Sequence, residues 1–97
     1  MAELVDPKHR SFIIKKIRSL LPSAEIMVFG SRVRGDAKRY SDLDIALDDS
    51  GAISLQIMAQ IEEGISQSDI PYKVDFLDFY KTDVDFQTLI RKNSISW

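Results

Sequence analysis

The chain of 97 residues contains no cysteine and no long apolar run. Without cysteine it cannot form a disulfide, a thiolate metal site or a thiol nucleophile. No segment approaches the roughly 20 consecutive apolar residues that a membrane helix requires, and the first ten residues lack the apolar core of a secretion signal. We therefore predict a cytoplasmic protein that does not bind membranes.

An excess of positive charge is also absent, since 13 Lys and Arg residues face 15 Asp and Glu residues for a net charge of −2. Proteins that bind long nucleic acids electrostatically need a positive face, so we do not expect nucleic acid as a partner. With only four glycines and three prolines, the composition predicts a single globular domain over residues 1–97. A core this small would benefit from a second copy or a different partner chain.

The apolar spacing predicts helices and strands in alternation. Asp6 followed by Pro7 is typical of a helix start, and Thr82 with Asp85 resembles a capping box. In chain order we predict a helix over 7–21, a strand over 24–30, a short helical piece within 31–37, a strand over 42–47, a helix over 55–66, a strand over 72–80 and a helix that starts near Thr82.

The connections between the predicted strands indicate a mixed sheet. A whole helix joins the second strand to the third, which favours a parallel pair, whereas a short turn joins the first to the second and favours an antiparallel pair. We therefore expect an α/β (α+β) fold, with a small sheet of three or slightly more strands covered by helices. Three strand ends should then meet at one edge of the sheet.

Acidic residues stand at those ends. Asp42 and Asp44 are two apart on a strand, so their side chains share one face at about 6.6 Å spacing along it, and Asp75 opens the neighbouring strand. Three such carboxylates repel one another unless divalent cations neutralise them. Hard oxygen ligands without His or Cys suit Mg²⁺, with Mn²⁺ as an alternative.

A turn that suits phosphate precedes the acids. Gly30 and Ser31 end a strand and open a turn, where backbone N–H groups and a hydroxyl can face an anion. A phosphate-binding turn next to metal-binding acids indicates phosphoryl or nucleotidyl transfer. Cations that follow in the sequence add positive potential: Arg32, Arg34, Lys38 and Arg39.

The same residues resemble a known family. Phe29-Gly30-Ser31, ten intervening residues, Asp42-Leu43-Asp44-Ile45 and then Val74-Asp75-Phe76 are similar to the pattern of the DNA polymerase β-like nucleotidyltransferases, in particular the minimal nucleotidyltransferases. The likeness covers nearly the whole chain and includes the stretch "GSRVRGDAKRYSDLDIAL". It implies the polymerase β-like nucleotidyltransferase fold and a two-metal mechanism.

The resemblance also implies a role for each candidate residue. Asp42 and Asp44 would bind two Mg²⁺ ions, and Asp75 would complete the site of the ion that activates an acceptor hydroxyl. Gly30 and Ser31 would hold the β- and γ-phosphates of a nucleoside triphosphate, with ATP as the expected one. Arg32 or Arg34 would assist with phosphate charge.

Minimal nucleotidyltransferases of this kind are commonly partnered by small helical HEPN-domain proteins. The resemblance therefore implies an antitoxin that silences a HEPN toxin by moving AMP onto one of its tyrosines. Two alternatives stay open at this point. One alternative is a binding antitoxin that neutralises its partner without catalysis. The other is an enzyme that transfers a nucleotide to a small molecule or an RNA end.

Overall fold

The computed structural model describes residues 5–34 and 41–97. Lys38, Arg39 and the part of the predicted short helix beyond Arg34 lie outside these residues. In chain order the elements are α1 (Pro7–Leu20), β1 (Glu25–Phe29), α2 (Ser31–Arg34), β2 (Leu43–Asp48), α3 (Leu55–Ser66), β3 (Val74–Asp78), a 3₁₀ helix (Phe79–Lys81), α4 (Val84–Asn93) and β4 (Ile95–Ser96).

The four strands form one mixed sheet in the order β3-β2-β1-β4. β1 pairs antiparallel with β2, and β2 pairs parallel with β3, so both predicted pairings and the predicted fold class are confirmed. A fourth strand, β4, was not predicted from the sequence and pairs antiparallel with β1. With only two residues, β4 is too short to show the alternation that identifies a strand.

Side-chain caps fix where the helices begin. The Asp6 carboxylate accepts a hydrogen bond from the backbone N–H of Lys8, as the sequence predicted. The predicted capping box at α4 is wrong by one residue, because the cap is Asp83, which accepts from the Phe86 N–H. The Thr82 hydroxyl instead donates to the Asp78 carbonyl oxygen at 3.0 Å and closes the 3₁₀ helix.

Alternation along the strands separates two apolar clusters, one on each face of the sheet. The larger cluster packs α1 and α3 against the inward residues of β1 and β2, and the smaller one packs α4 and the 3₁₀ helix against the opposite face. Ile45 lies in the larger cluster and Ala46 in the smaller. Asp44 therefore points toward the face that α4 covers, two residues before Ala46.

The helices within the described residues are short, 14 residues at most. Within 5–34 and 41–97, none has the length and apolar character needed to cross a bilayer.

Candidate functional site

The strand register places the predicted acids side by side. Asp44 of β2 is the direct parallel partner of Asp75 on β3. Neighbouring strands lie about 4.8 Å apart and partner residues share a face, so the two side chains project from the same side of the sheet. Asp42 immediately precedes β2, two residues from Asp44. The fold thus brings together three acids that are up to 33 positions apart in the sequence.

The surroundings of Asp44 disfavour the ionised form of its carboxyl. Burial raises the pKa of its carboxyl above the usual 3.8, and the nearby charges of Asp75 and Asp42 raise it further. Arg34 opposes this effect and lowers the pKa of Asp44. A bound cation would offset the free-energy cost of ionising Asp44 among the other carboxylates.

The donor set fits Mg²⁺, but the side chains must move to share an ion. In the described part of the chain, no group of three or more His, Asp or Glu side chains is already arranged to hold a metal. Asp75 Oδ1 instead lies 3.4 Å from Lys73 Nζ in an exposed ion pair, which contributes little stability. Rotation of the Asp75 side chain away from Lys73 and toward Asp44 is a small cost for metal binding.

The turn after β1 requires glycine. Gly30 adopts φ +87°, and a Cβ at this position would collide with the Asp44 carboxylate. The Gly30 carbonyl oxygen accepts hydrogen bonds from the N–H groups of Val33 and Arg34, both at 3.1 Å, which turns the chain into α2. Ser31 is the first residue of α2. Gly30 therefore lies directly beside the central acid, and Ser31 is the next residue of the chain.

The two candidate arginines have different surroundings. Arg32 is only 3% exposed; its Nε donates to the Ser41 carbonyl oxygen at 2.9 Å, and its guanidinium lies 4.0 Å from the ring centre of Tyr72. Arg34 is exposed and close enough to Asp44 to affect its pKa. The geometry makes Arg34 the better phosphate ligand of the two.

From the sequence, Arg32 and Arg34 were equal candidates for a phosphate ligand. Side chains two residues apart on a helix point in directions roughly 200° apart. This spacing indicates that only one of Arg32 and Arg34 can face the site. Nothing in the sequence shows which one, because that depends on where Tyr72 lies. The Tyr72 hydroxyl is itself 3.1 Å from His9 Nδ1 on α1, and burial raises the pKa of Tyr72 above its usual 10.0.

A groove of about 440 Å³ lies beside Asp44 and was not predicted from the sequence. We call it the α4 groove, because α4 forms one of its walls; the residues used below are Phe29, Gly30, Asp44, Phe86, Leu89 and Asn93. The spacing of Phe86, Leu89 and Asn93 indicates one helix face, but it does not reveal that this face borders the acids.

Comparison with known proteins identifies the family. The family model described as polymerase beta nucleotidyltransferase matches residues 13–96. The chain belongs to this family. The predicted minimal nucleotidyltransferase, and with it the predicted enzyme class, is confirmed. The nucleotidyltransferase is also 42% identical over 81 residues to the probable protein adenylyltransferase MntA of Haemophilus influenzae, a match that covers 82% of this chain and 71% of the relative.

Two solved structures resemble this nucleotidyltransferase in fold. A toxin–antitoxin crystal structure with AMP-PNP matches with a TM-score of 0.76 and 24% identity, over 90% of this chain and 71% of the other. A mutant of the toxin–antitoxin pair MntA-HpeT matches with a TM-score of 0.72 and 20% identity, over 92% and 71%. That mutant carries two aspartate-to-glutamate substitutions two positions apart. At these identities the likeness supports the fold.

Proposed function

We propose that this nucleotidyltransferase moves AMP from ATP to a tyrosine hydroxyl of a partner protein, a HEPN toxin, and thereby acts as an antitoxin. The observation that carries the proposal is the pairing of Asp44 with Asp75 beside the Gly30 turn. A relative named as a probable protein adenylyltransferase, 42% identical, supports protein as the acceptor. The toxin–antitoxin neighbours in fold point the same way.

Each residue of the site has a task in this reaction. Asp42, Asp44 and Asp75 would hold two Mg²⁺ ions, which would supply charge stabilisation at the phosphates and a lower pKa for the acceptor hydroxyl. The Gly30 turn, Ser31 and Arg34 hold the β- and γ-phosphates. The tyrosine oxygen bonds to the α-phosphorus, the bond to the β-phosphate breaks, and pyrophosphate leaves while the phenol proton passes to solvent.

The positions of Asp75 and Gly30 indicate on which side the acceptor enters and on which side pyrophosphate leaves. In an in-line displacement the attacking and leaving oxygens lie on opposite sides of the α-phosphorus. Gly30 follows β1, whereas Asp75 lies on β3, so the two flank β2 and Asp44 from opposite sides. Pyrophosphate therefore leaves on the Gly30 side, and the acceptor enters on the Asp75 side.

The test is labelling of the partner with ATP that carries ³²P at the α-phosphate. The proposed partner, a HEPN-domain protein, is incubated with wild type, with Asp44→Asn and with Asp69→Asn, whose exposed side chain serves as the matched control. We expect label on a tyrosine with wild type and with Asp69→Asn, and none with Asp44→Asn. Equal labelling by Asp44→Asn would contradict the mechanism.

Two further outcomes separate the alternatives. Label on RNA instead of protein would replace the proposed acceptor by an RNA end. Neutralisation of the toxin by Asp44→Asn without any labelling would favour an antitoxin that acts by complex formation alone.

A further inference from the structure

The α4 groove shares Gly30, Arg34 and Asp44 with the transfer site, but no step of the proposed transfer uses its apolar walls. Phe29, at the end of β1, forms one wall, and α4 forms the other. The groove ends at Gly30 and Asp44, so it opens directly onto the candidate triphosphate site. Its volume of about 440 Å³ is in the range of small-molecule sites.

The α4 wall presents apolar side chains that are not buried in the core of the fold. Phe86, Leu89 and Asn93 follow one another at intervals of three and four residues and share one helix face. Ile90 is buried and anchors the helix to the sheet, whereas Phe86 is 38% exposed and Leu89 is 54% exposed. Apolar side chains held open beside charged catalytic residues indicate a ligand with an apolar surface.

The aromatic pair in the groove leaves room for a planar ligand. The rings of Phe29 and Phe86 meet edge to face, with centres 5.9 Å apart and planes at 84°. An edge-to-face pair leaves a ring face uncovered, on which a heteroaromatic ring can stack. Phe29 is also the antiparallel partner of Asp44, so the aromatic wall begins next to the central acid.

The position of the groove distinguishes the nucleobase from the acceptor. The groove reaches Gly30 and Asp44, and none of the described residues of β3, Asp75 included, lines it. The acceptor is expected on the Asp75 side, opposite the leaving pyrophosphate. Pyrophosphate is charged and lies with the Gly30 turn and Arg34, so the nucleoside is the group on the α-phosphorus that suits the apolar part of the groove.

Asn93 supplies a polar group on this wall. Its Nδ2 donates to the Leu89 carbonyl oxygen at 3.0 Å, which fixes the orientation of the amide. Among the described residues its Oδ1 has no hydrogen-bond partner and can accept from an exocyclic amine. A side-chain amide matches the adjacent donor and acceptor of adenine, whereas guanine presents two acceptors at the corresponding edge.

We propose that the α4 groove binds the nucleobase of the substrate, with Phe86 and Leu89 in contact with the ring and Asn93 selecting adenine. The inference rests on the proposed function, because it takes the Gly30 turn and Asp44 as the triphosphate site. It adds the residues that would set nucleotide specificity.

Isothermal titration with two ligands tests the inference. The ligands are α,β-methylene-ATP, which resists the transfer reaction, and inorganic tripolyphosphate, which has no base, each with Mg²⁺. Phe86→Ala and Leu89→Ala should each bind the ATP analogue ~10-fold more weakly, the usual scale for lost stacking on one base. Their affinity for tripolyphosphate should stay unchanged. The matched control is Val84→Ala, which removes an exposed apolar side chain of α4 outside the groove.

Asn93→Ala tests the choice of base. It should lose ~10-fold of the preference for the adenine analogue over the matching guanine analogue. Unchanged preference would overturn the role of Asn93.

The results separate this inference from the proposed function. Equal affinity of wild type, Phe86→Ala and Leu89→Ala for the ATP analogue would overturn the nucleobase groove, although the partner could still be labelled. If these variants bind the analogue normally but label the partner poorly, the groove belongs to the acceptor and the inference is wrong. If base-dependent binding is found and no protein is labelled, the groove stands and the proposed acceptor fails.

Should Phe86→Ala not fold, Leu89→Ala decides, because its side chain is half exposed.

Discussion

Asp44 occupies the most demanding position of the site. Its carboxyl is partly buried and faces the like charges of Asp75 and Asp42, with Arg34 as a compensating cation. Ionisation of Asp44 therefore costs folding free energy in the absence of divalent cations. An acid at a position where its ionisation is unfavourable is typical of a functional site.

Asp44→Asn should abolish nucleotide transfer and raise the melting temperature measured in EDTA. Because the folded-state pKa is raised above 3.8, the folded protein binds this proton more tightly than the unfolded chain does. The cost of ionisation is absent below pH 3.8 and fully present above the raised pKa. The gain in melting temperature should therefore grow as the pH rises through that window. A melting temperature below that of wild type at pH 7 would contradict this account, and Asp69→Asn is the control.

Arg32 positions other groups of the site, whereas Arg34 faces it. The buried Arg32 guanidinium connects α2 to the Ser41 carbonyl, just before Asp42, and to the ring of Tyr72, three residues before Asp75. The Arg32 guanidinium therefore supports two of the segments that carry the acids. Charge-assisted hydrogen bonds of this kind contribute about 1.5–3 kcal/mol.

Arg32→Met should lower the free energy of unfolding by about 2 kcal/mol, because the Ser41 carbonyl loses its charged donor. Arg34→Met, the matched variant, should lower stability by less, since Arg34 is exposed and its attraction to Asp44 is screened by solvent. It should instead raise the KM for ATP. Urea denaturation and initial rates check the pair. Equal loss of stability in both variants would show that the two arginines are not distinguished as described.

At the scale of elements, the turn from β1 into α2 decides how close a phosphate comes to the acids. Strand β1 ends at Phe29 opposite Asp44, and Gly30 turns the chain at once into α2. The positive φ and the contact with the Asp44 carboxylate allow no side chain at this position.

Gly30→Ala should lower the free energy of unfolding by about 1–3 kcal/mol and reduce activity strongly, because a Cβ in this conformation is strained and displaces the Asp44 carboxylate. Gly51→Ala is the control: Gly51 has no positive φ, and a Cβ there meets nothing within 4 Å. Thermal denaturation and transfer rates measure both effects. Full activity of Gly30→Ala would show that close approach at this turn is not needed.

At the scale of the whole molecule, the sheet has a structural face and a functional face. The face under α1 and α3 carries the larger apolar cluster, and burial of apolar surface is the main term that favours folding. The opposite face is only partly covered by α4, which leaves room for the acids and the groove. Stability and chemistry are thus separated by the two-residue period of the strands.

Ile17→Ala should cost about 2–5 kcal/mol of unfolding free energy, because the side chain is fully buried between α1 and the sheet. Leu55→Ala, at a side chain that is 77% exposed, should cost almost nothing. The ATP affinity of the folded Ile17→Ala protein should match that of wild type. Weakened nucleotide binding at temperatures well below its melting point would show that the two faces are coupled.

Local patterns in the sequence were sufficient for the order of the main elements, for the pairing of the first three strands and for the family. Those features depend on short-range periodicity, on connection lengths and on the Gly-Ser and Asp-x-Asp spacing, all of which are visible in one chain. The start of α4 was misplaced because Thr82 and Asp83 are both good caps, and only the packing of the 3₁₀ helix selects between them.

The amino-acid sequence alone determined which chemical groups are available: three carboxylates on strand ends, a glycine-serine turn and nearby cations. The tertiary structure alone decided which of them meet, since contacts between distant residues follow from strand register and helix packing. It placed Asp75 beside Asp44 and turned Arg32 inward and Arg34 outward. It also brought one face of α4 to the acids, because Ile90 anchors that helix across the sheet from α1 and α3.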